Sequence, residues 1–409
     1  MDLLRSKAVI AACAVTASVA LAACGSSSPA TTSSPASTTS SNTTPSSAAP
    51  SVSTSSFTNN FTAMAALKSL AAAGKGKIAA ILPDTTSSTR YVEFDQPDLK
   101  KAMAEAGVPS SDIIVQNGND SDSQFLTDAQ SDITNGASVL LIDPEDSGTG
   151  LAVERYAKAH GVAVINYDRL VLGGPADYYV SFNNVEVGKL IGSGFVSCVQ
   201  AWHVTHPNVI MMRGDPTDNN ATLFFEGYDG VLAPYFKSGK YTLVANTAGT
   251  WMPTVAQTEF ETAFTAHPNA NSAVIPNDEN GAPILTYLKS HGVKPDTFPT
   301  TGQDATLTGL QNILSGYQCG TVYKPIYKEA QAAVSLALYL RASKTPPAGL
   351  LNGTVTDPTN KLSVPSVLLQ PEWVTPQNMV DTIVKDNFVP TSQLCAGTYA
   401  AECKKYGIS

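Results

Sequence analysis

The chain has 409 residues, with 25 Lys and Arg against 34 Asp and Glu, giving a formal net charge of −9. Only 14% of its residues are charged, well below the roughly 25% usual for soluble proteins. Nucleic acid needs basic patches that such a surface lacks, so nucleic-acid binding is excluded and an uncharged ligand is favoured.

Arg5 and Lys7 precede an apolar run from Ala8 to Ala20 that is too short to span a bilayer and reads as an export signal. It ends in Leu21-Ala22-Ala23-Cys24-Gly25, where small residues fit a peptidase cleft and the cysteine offers a thiol for lipid transfer. Residues 1–23 are therefore expected to form a lipoprotein signal peptide, resembling a bacterial lipobox, with Cys24 as the lipidation site. A plain secretory signal cut after Ala23 is the alternative. Residues 24–56 are Ser, Thr, Pro and Ala almost throughout, bury nothing, and are expected to be a disordered tether.

Six cysteines are present, of which Cys13 leaves with the signal and Cys24 carries lipid. The remaining four suit disulfides in an oxidising compartment. Cys395 with Cys403 is the favoured pair because the two are close in sequence, which leaves Cys198 with Cys319; four reduced thiols are the alternative. None of the four has zinc-ligand spacing, and neither metal nor cofactor is expected.

The globular part begins with an apolar strand at 77–82, followed by a helix at 97–106, the strand IIVQN, a helix at 123–135, SVLLIDP, a helix at 149–159 and VAVINYD. Nearly continuous apolar strands with helical crossovers mean a parallel sheet covered on both faces, with ligand loops at the carboxyl ends of the strands. After Tyr179-Val180-Ser181-Phe182 the alternation restarts, with helices at 185–201, 221–237, 255–266 and 282–291 between the strands NVIMMRG, TLVANT and SAVIPND. TVYKP, a helix at 327–343 and VPSVLLQP then return the chain to the first lobe and cross once more. Residues 76–180 with 325–366 are expected to form the N-terminal lobe, and 181–324 with 367–409 the C-terminal lobe.

The segments YDR (167–169), YYVSFNNVEVGKL (from 178), GDPTDNNA (from 214), PND (276–278), TGQDA (from 301) and TVYKPI (from 321), in this order and spacing, resemble the type I periplasmic sugar-binding proteins of ABC importers. Within that family the xylose-binding branch is the most similar, over nearly all of 77–389. The resemblance implies an α/β fold of two Rossmann-like lobes with parallel sheets, joined by a three-segment hinge near Ser181, Lys324 and Val367. It also implies closure on a monosaccharide, D-xylose first, with arabinose, glucose, ribose or a pentitol behind it. The partners implied are an ABC permease and its ATPase, with the protein a monomer held by its lipid at the outer face of the cytoplasmic membrane.

A sugar presents hydroxyls that donate and accept, so its site needs charged and amide groups fixed at strand ends. Arg90 and Arg169 offer planar forks of donors; Asp168, Asp218, Asp278 and Asp304 accept; Asn219, Asn220 and Asn277 do either; Lys324 is a point donor. The resemblance places Arg90, Arg169, Asn219, Trp251, Asn277, Asp304 and Lys324 most directly on the sugar. Trp251, and Tyr91 beside Arg90, would wall the ring's apolar faces. For each polar residue the competing reading is a strand-end cap or a lobe-closing salt bridge.

The first loop, 83–89, departs from the family in being less charged, which puts pentose identity in doubt. The segment after Val389 is additional and is expected to brace a lobe. A glycosidase is disfavoured: His160, His203, His206, His267 and His291 lie outside the strand-end loops, and GxSxG, HExxH and GxxxxGK[ST] are absent. A lipid-anchored sensor subunit signalling to a receptor stays open as an alternative.

Overall fold

A computed structural model describes residues 51–408. The signal, Cys24 and most of the expected tether lie outside the described residues. The tether's last residues do not belong to it: Val52 and Phe57 are buried, and 54–56 form a 3-10 turn. Two apolar side chains among the serines are enough to fix this end, because Phe57, Phe61, Met64 and Leu67 all sink into the first lobe. Lys101 lies over the Phe61 ring at 4.3 Å and donates to the Asn59 carbonyl at 3.2 Å.

Helix α1 (Lys68–Ala73) leads into β1 (Lys77–Leu82), α2 (Gln96–Glu105), β2 (Ile113–Asn117), α3 (Asp122–Thr134), β3 (Ala137–Ile142), α4 (Ser147–Ala159), β4 (Ala163–Tyr167) and β5 (Tyr178–Phe182). The first lobe's helix was expected from Pro97, but a π-helical turn at Tyr91–Asp95 extends it backwards. Pro97 stands where the π-helical turn gives way to regular α-helix. The second lobe follows with α5 (Asn184–Ala201), β6 (Asn208–Met211), α6 (Asn219–Lys237), β7 (Thr242–Asn246), α7 (Pro253–Ala266), β8 (Ser272–Val274), α8 (Asp278–Ser290) and α9 (Leu307–Leu314). Then come β9 (Thr321–Tyr323), α10 (Ile326–Arg341), β10 (Gly353–Thr356), β11 (Ser363–Leu369) and β12 (Glu372–Val374).

The first lobe holds a seven-stranded sheet in the order β10-β11-β5-β4-β3-β1-β2, parallel except for β10. Alternate residues of β1 serve opposite faces. Ile78, Ala80 and Leu82 pack toward α2 and α10, while Ala79 and Ile81 meet Phe125, Ala129, Val153 and Ala157 of α3 and α4. The second lobe carries the parallel sheet β7-β6-β8, with β9 and β12 paired antiparallel beside it. Helices α5 and α6 touch through two glycines: a Cβ on Gly188 would lie 2.1 Å from the Phe224 carbonyl, and one on Gly227 2.4 Å from that of Val185. Only glycine permits that approach.

Three crossings join the lobes. The chain leaves the first sheet after Phe182, returns between Tyr323 and Ile326, and leaves again between Leu369 and Glu372. At the first and third, Asn183 N–H donates to the Leu369 carbonyl at 2.9 Å, tying the two strands together. Val367 pairs with Val180 inside the first sheet, so the third crossing falls a few residues beyond it. Disulfides link Cys198 to Cys319 and Cys395 to Cys403, each with a Cα separation of 5.8 Å.

Candidate functional site

The carboxyl ends of β1, β4, β6, β8 and β9 converge on a cleft between the lobes, where a small pocket of about 20 Å³ remains. Ten of the twelve residues expected to contact ligand line it, the exceptions being Asn219 and Asp278.

Local structure explains the placement. Asp218 and Asn277 are the N-caps of α6 and α8, accepting from Asn220 N–H at 2.9 Å and Asn280 N–H at 3.0 Å. Each cap fixes its side chain and turns a helix N-terminus toward the cleft. Asp168 (φ 58°) and Asp304 (φ 89°) occupy the left-handed region immediately after strands or strand-like segments. Non-glycine residues adopt it at a cost of about 1–3 kcal/mol, tolerated where the surroundings over-determine the backbone. Here Asp168 N–H donates to Val180 O and Asp304 N–H to Val322 O, both at 2.9 Å.

Arg90 organises the first-lobe wall. Its Nε and Nη2 donate to Asp95 at 2.8 and 2.7 Å, Nη2 also to Glu329 at 2.8 Å, and Nη1 to Asp168 at 2.9 Å, with only 1% of the residue exposed. Four of its five N–H groups are thus engaged within the protein. The expected free fork is instead an anchor. Burial pushes the Glu329 carboxyl well up, opposed by Arg90. Burial would do the same to Asp168, but Arg90, Lys324 and Arg169 outweigh it and hold that carboxyl below the usual range. The Tyr91 hydroxyl donates to Asp168 at 3.2 Å and accepts from Arg169 Nη2 at 3.1 Å, so the ring's polar edge is spoken for.

On the second lobe, Lys324 Nζ pairs with Asp304 at 2.9 Å, both side chains 4% exposed. Trp251 Nε1 donates to Asp218 at 3.0 Å, and its ring stands edge-on to Phe224 at 6.3 Å. The indole needs Gly214 beneath it, since a Cβ there would come within 2.2 Å of the ring. Asn219 heads α6 beside Asp218 and Asn220, which point into the cavity in its stead. Asp278 faces the interior, accepting from Gln318 Nε2 (2.7 Å), Thr306 N–H (2.9 Å) and Thr321 Oγ1 (3.0 Å). Its carboxyl braces α9 against β9 and does not line the pocket.

Four lining residues escaped the sequence reading: Ser87, Ser88, Phe224 and Gln303. Phe224 follows the helical core pattern of α6, and the serines sit in a loop of small polar residues; no sequence signal separates them from scaffold. Gln303 precedes Asp304 in the quoted TGQDA segment, and its buried Oε1 has no hydrogen-bond partner. That is an acceptor a ligand hydroxyl would satisfy.

Direct contacts cross the cleft. Ser88 Oγ donates to Asp304 Oδ2 (3.1 Å), Thr89 N–H to Glu279 (3.1 Å), Asn277 Nδ2 to the Ser87 carbonyl (3.3 Å) and Asn220 Nδ2 to the Asp168 carbonyl (3.0 Å). The lobes are therefore closed. Lining charges balance, with Arg90, Arg169 and Lys324 against Asp168, Asp218 and Asp304. A larger groove of about 360 Å³ lies against the Cys198–Cys319 disulfide among Trp202, Trp373 and Tyr406, and none of the strand-end residues above line it.

Two parallel-sheet lobes with three crossings and a polar cleft at the strand ends define a two-lobed, solute-binding architecture. The chain belongs to the periplasmic binding protein domain family, whose model matches residues 78–345. It is 35% identical to the D-xylose-binding periplasmic protein of Escherichia coli K12 over 285 residues, covering 69% of this chain and 83% of that protein. It is 30% identical to the multiple sugar-binding periplasmic receptor ChvE of Rhizobium radiobacter over 79% of this chain and 93% of that one. Among solved structures, a carbohydrate transporter solute binding protein of Chloroflexus aurantiacus in complex with D-glucose superposes with a TM-score of 0.69 at 25% identity. That match covers 77% of this chain and 97% of the other.

Proposed function

We propose that this protein is the exported sugar-capturing component of an ABC importer, lipid-anchored through Cys24, which closes on one monosaccharide, D-xylose in the first place. The observation that carries the reading is the closed cleft itself. Guanidinium, ammonium, carboxylate and amide groups from both lobes converge on one small cavity with Trp251 and Phe224 as its apolar wall. Hydroxyls find donors and acceptors there, the ring's C–H faces find aromatic surface, and balanced lining charge suits an uncharged ligand. The relatives named for D-xylose and for several sugars support the choice of ligand.

The mechanism is a population shift. A sugar touching both Arg169 on the first lobe and Asp304 or Asn277 on the second binds the closed state better than the open one, and closure follows from that difference. The Asp95–Arg90–Glu329 cluster keeps one wall rigid while the crossings at 183, 324 and 370 absorb the rotation. A thermal-shift screen against pentoses, hexoses and polyols tests the reading. Stabilisation by D-xylose above the others is expected, and stabilisation by none of them removes it.

A further inference from the structure

One guanidinium faces three carboxylates at the side of the cleft. Arg169 Nε lies 3.6 Å from Asp143 and 3.6 Å from Asp218, and its Nη1 3.4 Å from Glu145. Asp143 and Glu145 follow β3 on the first lobe, whereas Asp218 caps α6 on the second, so closure brings the third carboxylate to the same cation. Asp218 is well provided with donors, from Trp251 and the Asn220 N–H. Asp143 is fully buried, yet neither of its oxygens has a hydrogen-bond partner, and neither does Glu145 Oε1.

The remaining surroundings of Glu145 are acidic. Asp84 stands beside it, its carboxylate occupied by the Thr86 and Ser87 N–H groups and the Ser87 hydroxyl. The Glu145 carboxyl, which hydrogen-bonds to it, and then those donors outweigh burial and hold Asp84 below its ordinary range, so it stays ionised. Over Glu145 lies a second interlobe pocket of about 230 Å³, lined by Asp120, Asp122 and Asp146 from the first lobe and by Asp215, Trp251 and Met252 from the second. No lysine, arginine or histidine lines it. Arg169 is the cation beside Glu145, and Arg90 is a second that acts on Asp143; this many carboxylates set against two guanidinium groups cannot all remain charged.

We propose that closure of the cleft on its ligand takes up a proton, carried by Glu145, so that sugar affinity is linked to pH. The inference rests on the sugar-capture reading above. With the lobes apart, Glu145 faces water and sits near the ordinary carboxylate value of about 4.3. In the closed state burial, with Asp84 and Asp120 adding to it and Arg169 opposing, pushes it up to about 8. Because the value is raised on closure, protonation favours the closed state. The benefit is complete below the open-state value and is lost as pH rises through the closed-state one, so the dissociation constant climbs by up to ~tenfold per pH unit in between.

Calorimetric titration of the full-length chain with D-xylose, at several pH values from about 6 to about 8 and in buffers of different ionisation enthalpy, reads the proton directly. Uptake approaching one proton is expected, with affinity falling as pH rises. Glu145→Gln is expected to bind D-xylose with little pH dependence and no buffer-dependent heat. Wild-type binding with the same heat in every buffer and a flat pH profile overturns the inference while leaving sugar capture intact. Undiminished uptake in Glu145→Gln overturns the assignment to that residue. Failure of D-xylose and the other monosaccharides to bind at any pH overturns the capture reading, and this inference with it.

Discussion

Arg90 separates a structural role from a ligand-contacting one. Replacing it with methionine keeps most of the volume but strips Asp95, Asp168 and Glu329 of a cation held at 2.7 to 2.9 Å, in a site where these side chains are at most 6% exposed. Breaking one buried pair by removing a partner costs about 3–5 kcal/mol, because a charge is left buried without compensation. Three carboxylates lose their shared partner here, and protonation relieves part of the penalty, so a loss at the upper end of that range is expected. Against a total stability of about 5–15 kcal/mol, this is a third or more of the fold's margin. Urea unfolding followed by circular dichroism measures it, with the slope unchanged and the midpoint lowered. The deficit should shrink toward acid pH. Orphaned carboxylates have raised pKa values, so the fold is penalised progressively as pH rises through them and not below. Adding Glu329→Gln should recover part of the loss. A variant within about 1 kcal/mol of wild type at neutral pH would show that this cluster does not hold the wall of the cleft.

Trp251→Phe keeps an aromatic wall but leaves Asp218 Oδ2 without its indole donor. A ligand affinity lower by roughly 5- to 150-fold, equivalent to ~1–3 kcal/mol, is expected by calorimetry. Removing the Cys198–Cys319 bridge, which spans 121 residues, should destabilise more than removing Cys395–Cys403, which spans 8; paired Cys→Ala variants compared in urea decide this. Burial pushes Asp278 up to about 8 although Gln318, Thr306 and Thr321 donate to it. Wild-type stability should therefore decline as pH rises from the ordinary carboxylate range toward that value, and Asp278→Asn should flatten the decline. Phe57→Ala should cost about 3–5 kcal/mol, as a core aromatic does, where a residue in a loose tether would cost nothing measurable.

The alternation of apolar strands and helical crossovers made the two lobes legible, because a parallel sheet buried on both faces leaves little choice of side chain in β1 or β3. Strand ends were legible for the same reason: polar residues there have few uses besides capping and binding. What the sequence pattern does not contain is direction. Asp278 and Asp304 are both acidic and follow strand-like segments, yet one turns inward to Gln318 and Thr321 while the other meets Lys324 in the cleft. Asn219 and Asn220 are consecutive, and the rotation of one helical residue decides which of them points into the cavity. Phe224 carries the period of a core residue and still forms cleft wall, since core and cleft share the same helix face. The engagement of Arg90 was hidden because Glu329 lies 239 positions away.

The central claim is that both lobes grip one sugar through Arg169 and Asp304. Calorimetric titration of wild type, Arg169→Ala and Asp304→Ala with D-xylose tests it most directly. A single site in wild type, with affinity lost by about two orders of magnitude or more in each folded variant, is the expected result. An unchanged dissociation constant in both variants would contradict it.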